Sequence, residues 1–328
     1  MKLGINIIPS MPVEEIIETT CAAENLGYEY LILADEGFMQ DVYVVLGALT
    51  HETHTMKLGP CTNGYTRHPA VTAAAMATLN EISDGRAFIT LVAGGSVVLG
   101  PMNIPREASL AVVRDTVEIM RRLWSGEAIT WQGERYALSN ARLNMGKQEN
   151  IPVWIAPRGD KMCELTGEIA DCALLMVKAD LPAGFELVDK GSTKTGNLPQ
   201  RAFIDNIAYT PDKIAATTAF FPHVVVDTPT RQLRGFLSEA QIAEIQSAVK
   251  AGGHEAAKKL ITTEMVKGYK IAGSPDECAQ TLRSIVDNRK LDIFILNIVA
   301  GGLKNNLQIL EDVRKIVDQA EKLPVVDS

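Results

Sequence analysis

Residues 78–95 read TLNEISDGRAFITLVAGG. Thr78 to Ile82 closes a helix, Gly85 turns the chain, and Arg86 stands at the turn as an ionic partner. A short apolar strand, residues 87–93, then ends on the pair Gly94 and Gly95. A helix, a tight turn and a buried strand in this order form one unit of a parallel sheet, and the turn lies ahead of the strand.

Working upstream, the same alternation fills the first ninety residues. Residues 3–8 are a strand, and residues 13–26 place Val13, Ile16, Ile17, Thr20, Cys21 and Leu26 near one helical face before Gly27 ends the helix. Residues 28–34 and 56–60 are the next strands, separated by a helix at 41–50, and 70–82 is an alanine-rich helix suited to close packing on a sheet. Downstream, residues 96–107 are too long for a plain loop and lead into the amphipathic helix 110–124. Residues 127–150 are an excursion with a hairpin around Trp131 to Tyr136. The pattern resumes with a strand at 153–156, a helix at 161–170 and strands at 172–177 and 201–210. Residues 211–270 read as consecutive helices, around 212–221, 239–251 and 254–262, and form an insertion. The last unit is the helix 275–288, capped by Ser274, then the strand 292–299 and a closing helix at 305–322. The strands number eight, as a closed barrel of alternating strands and helices requires, and such a barrel takes about 250 residues. One domain spanning 1–328, with the insertion at about 211–270, is therefore expected.

Hydrophobic residues make up 46% of the chain and charged residues 22%, the balance of a globular protein with a large core. The 32 basic and 40 acidic residues leave a net charge of −8 and no basic stripe, so nucleic acid and acidic membrane surfaces are excluded as partners. A ligand phosphate must then be held by local backbone donors and a few placed cations. The N-terminus enters a strand directly and lacks signal-peptide architecture, and no stretch approaches the ~20 apolar residues of a membrane span. Cys21, Cys61, Cys163, Cys172 and Cys278 are scattered and never form a CxxC pair, which points to reduced thiols in the cytoplasm and away from zinc. His51, His54, His223 and His254 likewise lack metal-like spacing.

The working face of such a barrel is built from the loops that follow strands. Five segments qualify: Asp35, Glu36 and Gly37; Cys61, Thr62, Asn63 and Gly64; Gly94, Gly95 and Ser96; Pro157 to Lys161; and residues 297–302. Gly94, Gly95 and Ser96 offer open backbone donors, while Arg158, Gly159, Asp160 and Lys161 add a helix N-terminus and two cations. The second is the better phosphate cradle, although a glycine before a helix is also an ordinary turn.

The opening stretch, Thr78-Leu79-Asn80-Glu81-Ile82-Ser83-Asp84-Gly85-Arg86-Ala87 followed by Leu91-Val92-Ala93-Gly94-Gly95, resembles the Leu-x-Glu-Leu-Ser-x-Gly-Arg signature of the luciferase-like flavin and deazaflavin oxidoreductases. Lys57-Leu58-Gly59-Pro60, Tyr65-Thr66-Arg67-His68-Pro69-Ala70 and Gly167-Glu168-Ile169-Ala170-Asp171 are most similar to methylenetetrahydromethanopterin reductase and its bacterial relatives within that family. The resemblance implies a TIM (β/α)8 barrel of the bacterial-luciferase type, with the helical insertion before the last strand. It implies coenzyme F420 as hydride carrier, with FMN as the alternative, and a small organic substrate. Paired barrels are frequent in the family, so a homodimer or higher homo-oligomer is expected, and helices near residues 42–49 and 71–76 offer a face for it.

By the same resemblance the cofactor is lined by Asn6, Cys61, Thr62, Asn63, Gly94, Gly95, Ser96 and Ala156, with its phosphate at Arg158, Gly159, Asp160 and Lys161. A non-prolyl cis peptide is expected within residues 60–63. Asp35, Glu36 and His68 are the candidates for moving the proton. The reductases carry a glutamate at the position of Asn6 and a histidine at that of Glu36. An amide cannot donate and regain a proton as a carboxyl does, so Glu36 would take over that duty if the apolar mouth raises its pKa. Two other functions remain open: a reduced-FMN monooxygenase and a non-catalytic flavin-binding relative.

Overall fold

The computed structural model describes residues 1–148, 150–299 and 301–325. Ala300, inside the candidate segment 297–302, and residues 326–328 lie outside the described residues. Eight parallel strands close a barrel: β1 (Lys2–Ile7), β2 (Tyr30–Ala34), β3 (Lys57–Asn63), β4 (Ile89–Val92), β7 (Val153–Ile155), β8 (Cys172–Leu175), β9 (Gln200–Asp205) and β10 (Ile293–Ile298). Neighbours follow the order β1, β10, β9, β8, β7, β4, β3, β2, and β2 returns to β1. The remaining pair, β5 (Ile129–Gln132) and β6 (Ala137–Ala141), is the antiparallel hairpin of the excursion.

Outside the barrel lie α1 (Val13–Asn25), α2 (Val42–Glu52), α3 (Pro69–Ile82), α4 (Ser96–Leu99), α5 (Ser109–Trp124), α6 (Asp160–Ile169) and α7 (Leu181–Thr195). α12 (Pro275–Arg289) and α13 (Leu303–Lys322) complete the ring. Ser274 opens α12 with a full capping box to Glu277. The insertion comprises α8 (Pro211–Asp227), α9 (Thr230–Arg234), α10 (Glu239–Ala257) and α11 (Thr263–Tyr269), and its helices bury Phe221, Val225, Leu233, Ile242 and Val266 in a core of their own. The helix expected at 254–262 is instead the end of α10, which kinks at Gly252 and Gly253, followed by a single 3-10 turn at Lys258–Leu260.

Strand parity explains why this barrel has a deep mouth. Inward-facing positions recur every second residue, and the large rings Tyr30, Phe88 and Trp154 stand at the entries to β2, β4 and β7. They pack on one another, with Phe88 and Trp154 centroids 4.7 Å apart, and plug the N-terminal end. Gly4 and Gly59 make room for that plug: a Cβ at Gly59 would lie 2.3 Å from the Phe88 carbonyl, and one at Gly4 would lie 2.7 Å from Tyr30 Cβ. One or two steps further along the same strands, the inward residues shrink to Ala34, Cys61 and Ala156, and the interior opens.

The turn before β4 belongs to the closed end. Arg86 does not act there as an ionic partner. Its guanidinium donates to the carbonyls of Thr50, Thr53, Met56 and Ser83 and to the Thr53 hydroxyl, tying α2, α3 and β3 together. A second expectation also fails: every described peptide bond is trans, so residues 60–63 hold no cis bond. β3 runs three residues beyond its expected end, and Cys61, Thr62 and Asn63 pair in register with Thr90, Leu91 and Val92. An intact ladder keeps the extended trans backbone.

Candidate active site

A cavity of about 980 Å³ occupies the barrel mouth at the C-terminal ends of the strands. Its floor is largely apolar, from Ile32, Val92, Leu174 and Ile204, with the strand amides Asn6 and Asn297 among them, and its other polar groups come from strand ends and loops. Of the residues anticipated from sequence, Asn6, Asp35, Glu36, Cys61, Asn63, Gly94, Gly95, Ser96, Ala156, Arg158, Gly159, Asp160 and Lys161 all line it. Strand periodicity accounts for this convergence, because each of these residues is inward-facing on its strand or lies just past a strand end.

Two anticipated residues stand elsewhere. His68 is the N-cap of α3, where Nδ1 accepts from the Ala70 amide at 3.2 Å, and its ring meets the edge of Tyr136. The His-Pro pair at a helix start carries that signal, since proline suits the first helical turn. Thr62 is turned outward by strand parity between Cys61 and Asn63. Its hydroxyl donates to Asp35 Oδ2 at 2.7 Å, so it orients a site carboxylate without lining the cavity.

The acidic side of the mouth is layered. Asp35 is fixed by Thr62 and by the Gly37 amide at 3.3 Å. Among the described residues Glu36 has no such tether, and its carboxyl is raised above its ordinary pKa by burial and then by the charge on Asp35. Cys61 lies behind both. Burial, followed by the Glu36 and Asp35 carboxylates, pushes its thiol up to about 12, so it is a neutral wall and not a nucleophile. Asn63 uses Oδ1 to accept from the amides of Tyr65 and Thr66, which turns the chain out of β3.

At the floor, Asn6 Nδ2 donates to Asn297 Oδ1 at 2.7 Å, joining β1 to its register partner on β10. This places a neutral, hydrogen-bonded amide pair at the floor.

The opposite wall holds the phosphate candidates. Gly159 caps α6 with backbone alone, no side chain satisfies the first amides of that helix, and a Cβ at Gly159 or at Gly95 would meet nothing within 4 Å. Open space beside unspent amides at a helix N-terminus suits an anion. Arg106 donates to the Gly94 carbonyl at 3.1 Å and steadies the second glycine loop, where Gly94 has φ +82°.

Sequence reasoning missed a further wall, made by Asp205 and Asn206 at the end of β9 and by Tyr269 and Lys270 at the end of the insertion. Asp205 is buried and accepts from the amides of Asn206 and Ile271 at 2.7 and 2.6 Å, with Lys270 Nζ at 3.7 Å. Burial raises the carboxyl and lowers the ammonium, and each charge partly offsets the effect on the other. The strand-end rule finds Asp205 once β9 stops there; the expected strand ran on to 210 and hid it.

The model of the luciferase-like monooxygenase family matches residues 3–289. The chain belongs to that family. Among curated relatives, this luciferase-like chain is 33% identical to 5,10-methylenetetrahydromethanopterin reductase of Archaeoglobus fulgidus, over 94% of the chain and 97% of the relative. It is 32% identical to the enzyme of the same name from Methanolobus tindarius, over 92% and 94%. The solved coenzyme F420 dependent tetrahydromethanopterin reductase of Methanopyrus kandleri superposes with a TM-score of 0.85 at 23% identity, covering 97% of this chain and 98% of that one, a likeness of fold. Among the described residues no helix is long and apolar enough to cross a membrane, and no cluster of three or more metal-binding side chains occurs.

Proposed function

We propose that this chain is an oxidoreductase that binds coenzyme F420 across the barrel mouth and passes hydride to or from a small organic substrate. The observation that carries the reading is the cavity itself, walled on one side by the Gly94–Gly95 loop and the uncapped α6 N-terminus and on the other by Asp35 and Glu36. The extended similarity to reductases named for methylenetetrahydromethanopterin supports the cofactor. The residues fit it: open space at Gly95 and Gly159 admits a phosphate against backbone amides, and the apolar floor suits a flat ring.

When bound, the deazaflavin supplies the hydride-carrying carbon. The chain does the rest. Amides at Gly159 to Lys161 hold the phosphate, the insertion and the acidic loop exclude water, and Glu36 holds and delivers the proton that accompanies hydride transfer. Thr62 keeps Asp35 aimed beside it. Asn6 and Asn297 orient polar groups without exchanging protons.

A reduced-FMN monooxygenase is the second reading, favoured by the family model. Oxygen uptake separates them. Turnover that proceeds equally well without oxygen supports hydride transfer to a substrate, and oxygen consumption coupled to substrate overturns it. A homodimer is proposed through α2 and α3, where Val44 and Val71 are 73% and 50% exposed, and sedimentation tests it. The free thiols suit a reducing compartment such as the cytoplasm.

A further inference from the structure

The phosphate cradle carries an internal conflict. An uncapped helix N-terminus attracts an anion, yet the first residue of α6 is itself acidic, and Asp160 lines the same cavity. A free carboxylate there would compete for the helix N-terminus and repel a phosphate.

The structure shows where that carboxylate goes. Asp160 makes no cap to its own helix and pairs instead with Nε of Arg231, on α9 of the insertion. A different nitrogen of the same guanidinium, Nη1, pairs with Asp180, whose side chain is 4% exposed. Asp180 also accepts from Gln232 Nε2 at 3.1 Å. Arg231 is therefore anchored from behind by a buried carboxylate and holds Asp160 in front. Only a forked cation can do both, because each carboxylate takes a separate nitrogen. A second tie joins the same two regions: Arg158 Nη2 donates to the Thr228 hydroxyl at 3.3 Å, two residues before α9 begins.

We infer that Arg231 is a positioning residue for the phosphate site, drawing Asp160 aside and cancelling its charge so that the α6 N-terminus is free to receive the phosphate of the cofactor. The insertion thus helps to bind the cofactor through a residue that does not itself line the cavity. This inference rests on the cofactor reading above.

The test is a fluorescence-quenching titration of the full chain and its variants with two probes, coenzyme F420 and its phosphate-free deazaflavin chromophore. Arg231→Gln is expected to weaken coenzyme F420 by about tenfold, from like-charge repulsion at a partly exposed site, and to leave the phosphate-free probe within about twofold. Adding Asp160→Asn to Arg231→Gln is expected to restore coenzyme F420 binding. Because Arg231→Gln also strands buried Asp180, Arg231→Lys provides a milder variant. It keeps a cation beside Asp180, releases Asp160, and is expected to weaken coenzyme F420 alone.

Equal loss for both probes would show a merely structural role and overturn the inference. So would failure of Asp160→Asn to rescue, which would mean that Arg231 acts on the phosphate directly. Unchanged binding in both Arg231 variants overturns the inference and leaves the cofactor reading standing, whereas a wild-type chain that does not bind coenzyme F420 overturns both.

Discussion

Gly167 lies inside α6, where that helix crosses α7. A Cβ at this position would sit 1.9 Å from the Val188 carbonyl oxygen and 2.7 Å from the Ser192 amide nitrogen. Gly191 on the partner helix is equally confined, 1.9 Å from the Glu164 carbonyl oxygen. A carbon and a carbonyl oxygen rest at about 3.3 Å or more, so Gly167→Ala must part the two backbones by up to about 1.4 Å. Overpacking of this kind costs about 3 kcal/mol, partly offset by the ~1 kcal/mol that alanine gains over glycine in a helix. For a chain of 328 residues the net loss lowers Tm by about 3 °C. The displacement also reaches function, because the phosphate cradle is the N-terminus of the same helix, and coenzyme F420 affinity should fall about tenfold from a misplacement near 1 Å. The control is Gly47→Ala in α2, where a Cβ meets nothing within 4 Å, and which should be neutral or stabilising by up to about 1 kcal/mol. Thermal unfolding followed by titration reads both effects. If Gly167→Ala matches the wild type in Tm and affinity, the close crossing of α6 and α7 does not position the cradle.

Four further outcomes follow from the site and its supports. Glu36 must be protonated to donate, so turnover should fall as pH rises through its raised pKa, and Glu36→Gln should lower kcat by about a hundredfold and flatten that profile. The same shift makes folding take up a proton between the unfolded and folded pKa values, so ionised Glu36 weighs against the fold at neutral pH. Glu36→Gln should then be more stable than the wild type there, an advantage lost as pH falls below the unfolded value, as urea unfolding across that range would register. Arg86→Met removes a guanidinium bound to four carbonyls at the closed end and should cost about 3 kcal/mol of stability with coenzyme F420 affinity unchanged, measured by denaturant unfolding and titration. Cys61 should resist iodoacetamide at pH 8, because its thiol is pushed up to about 12, and mass spectrometry of the alkylated protein locates any adduct.

The barrel was legible because its strands are short, apolar and bounded by turns, and every inward residue follows from a period of two. The mouth inherited that legibility: once strand ends are known, Asp35, Cys61, Gly94 and Gly159 fall into place. What stayed hidden had weaker local signals. Leu181–Thr195 forms α7 although Gly184 and Gly191 lower helix propensity, and Gly191 is there because α6 packs so closely. Arg231 follows no motif, and its meaning appears only when tertiary structure brings α9 beside Asp160 and Asp180. His68 misled in the other direction, since a histidine after a strand looks catalytic until its imidazole is seen capping α3.

The most direct test of the account is a titration of the purified chain with coenzyme F420 and with FMN, read by fluorescence quenching under identical conditions. Saturable binding of coenzyme F420 and much weaker binding of FMN are expected, with the preference retained in Glu36→Gln. Selective binding of FMN would contradict this.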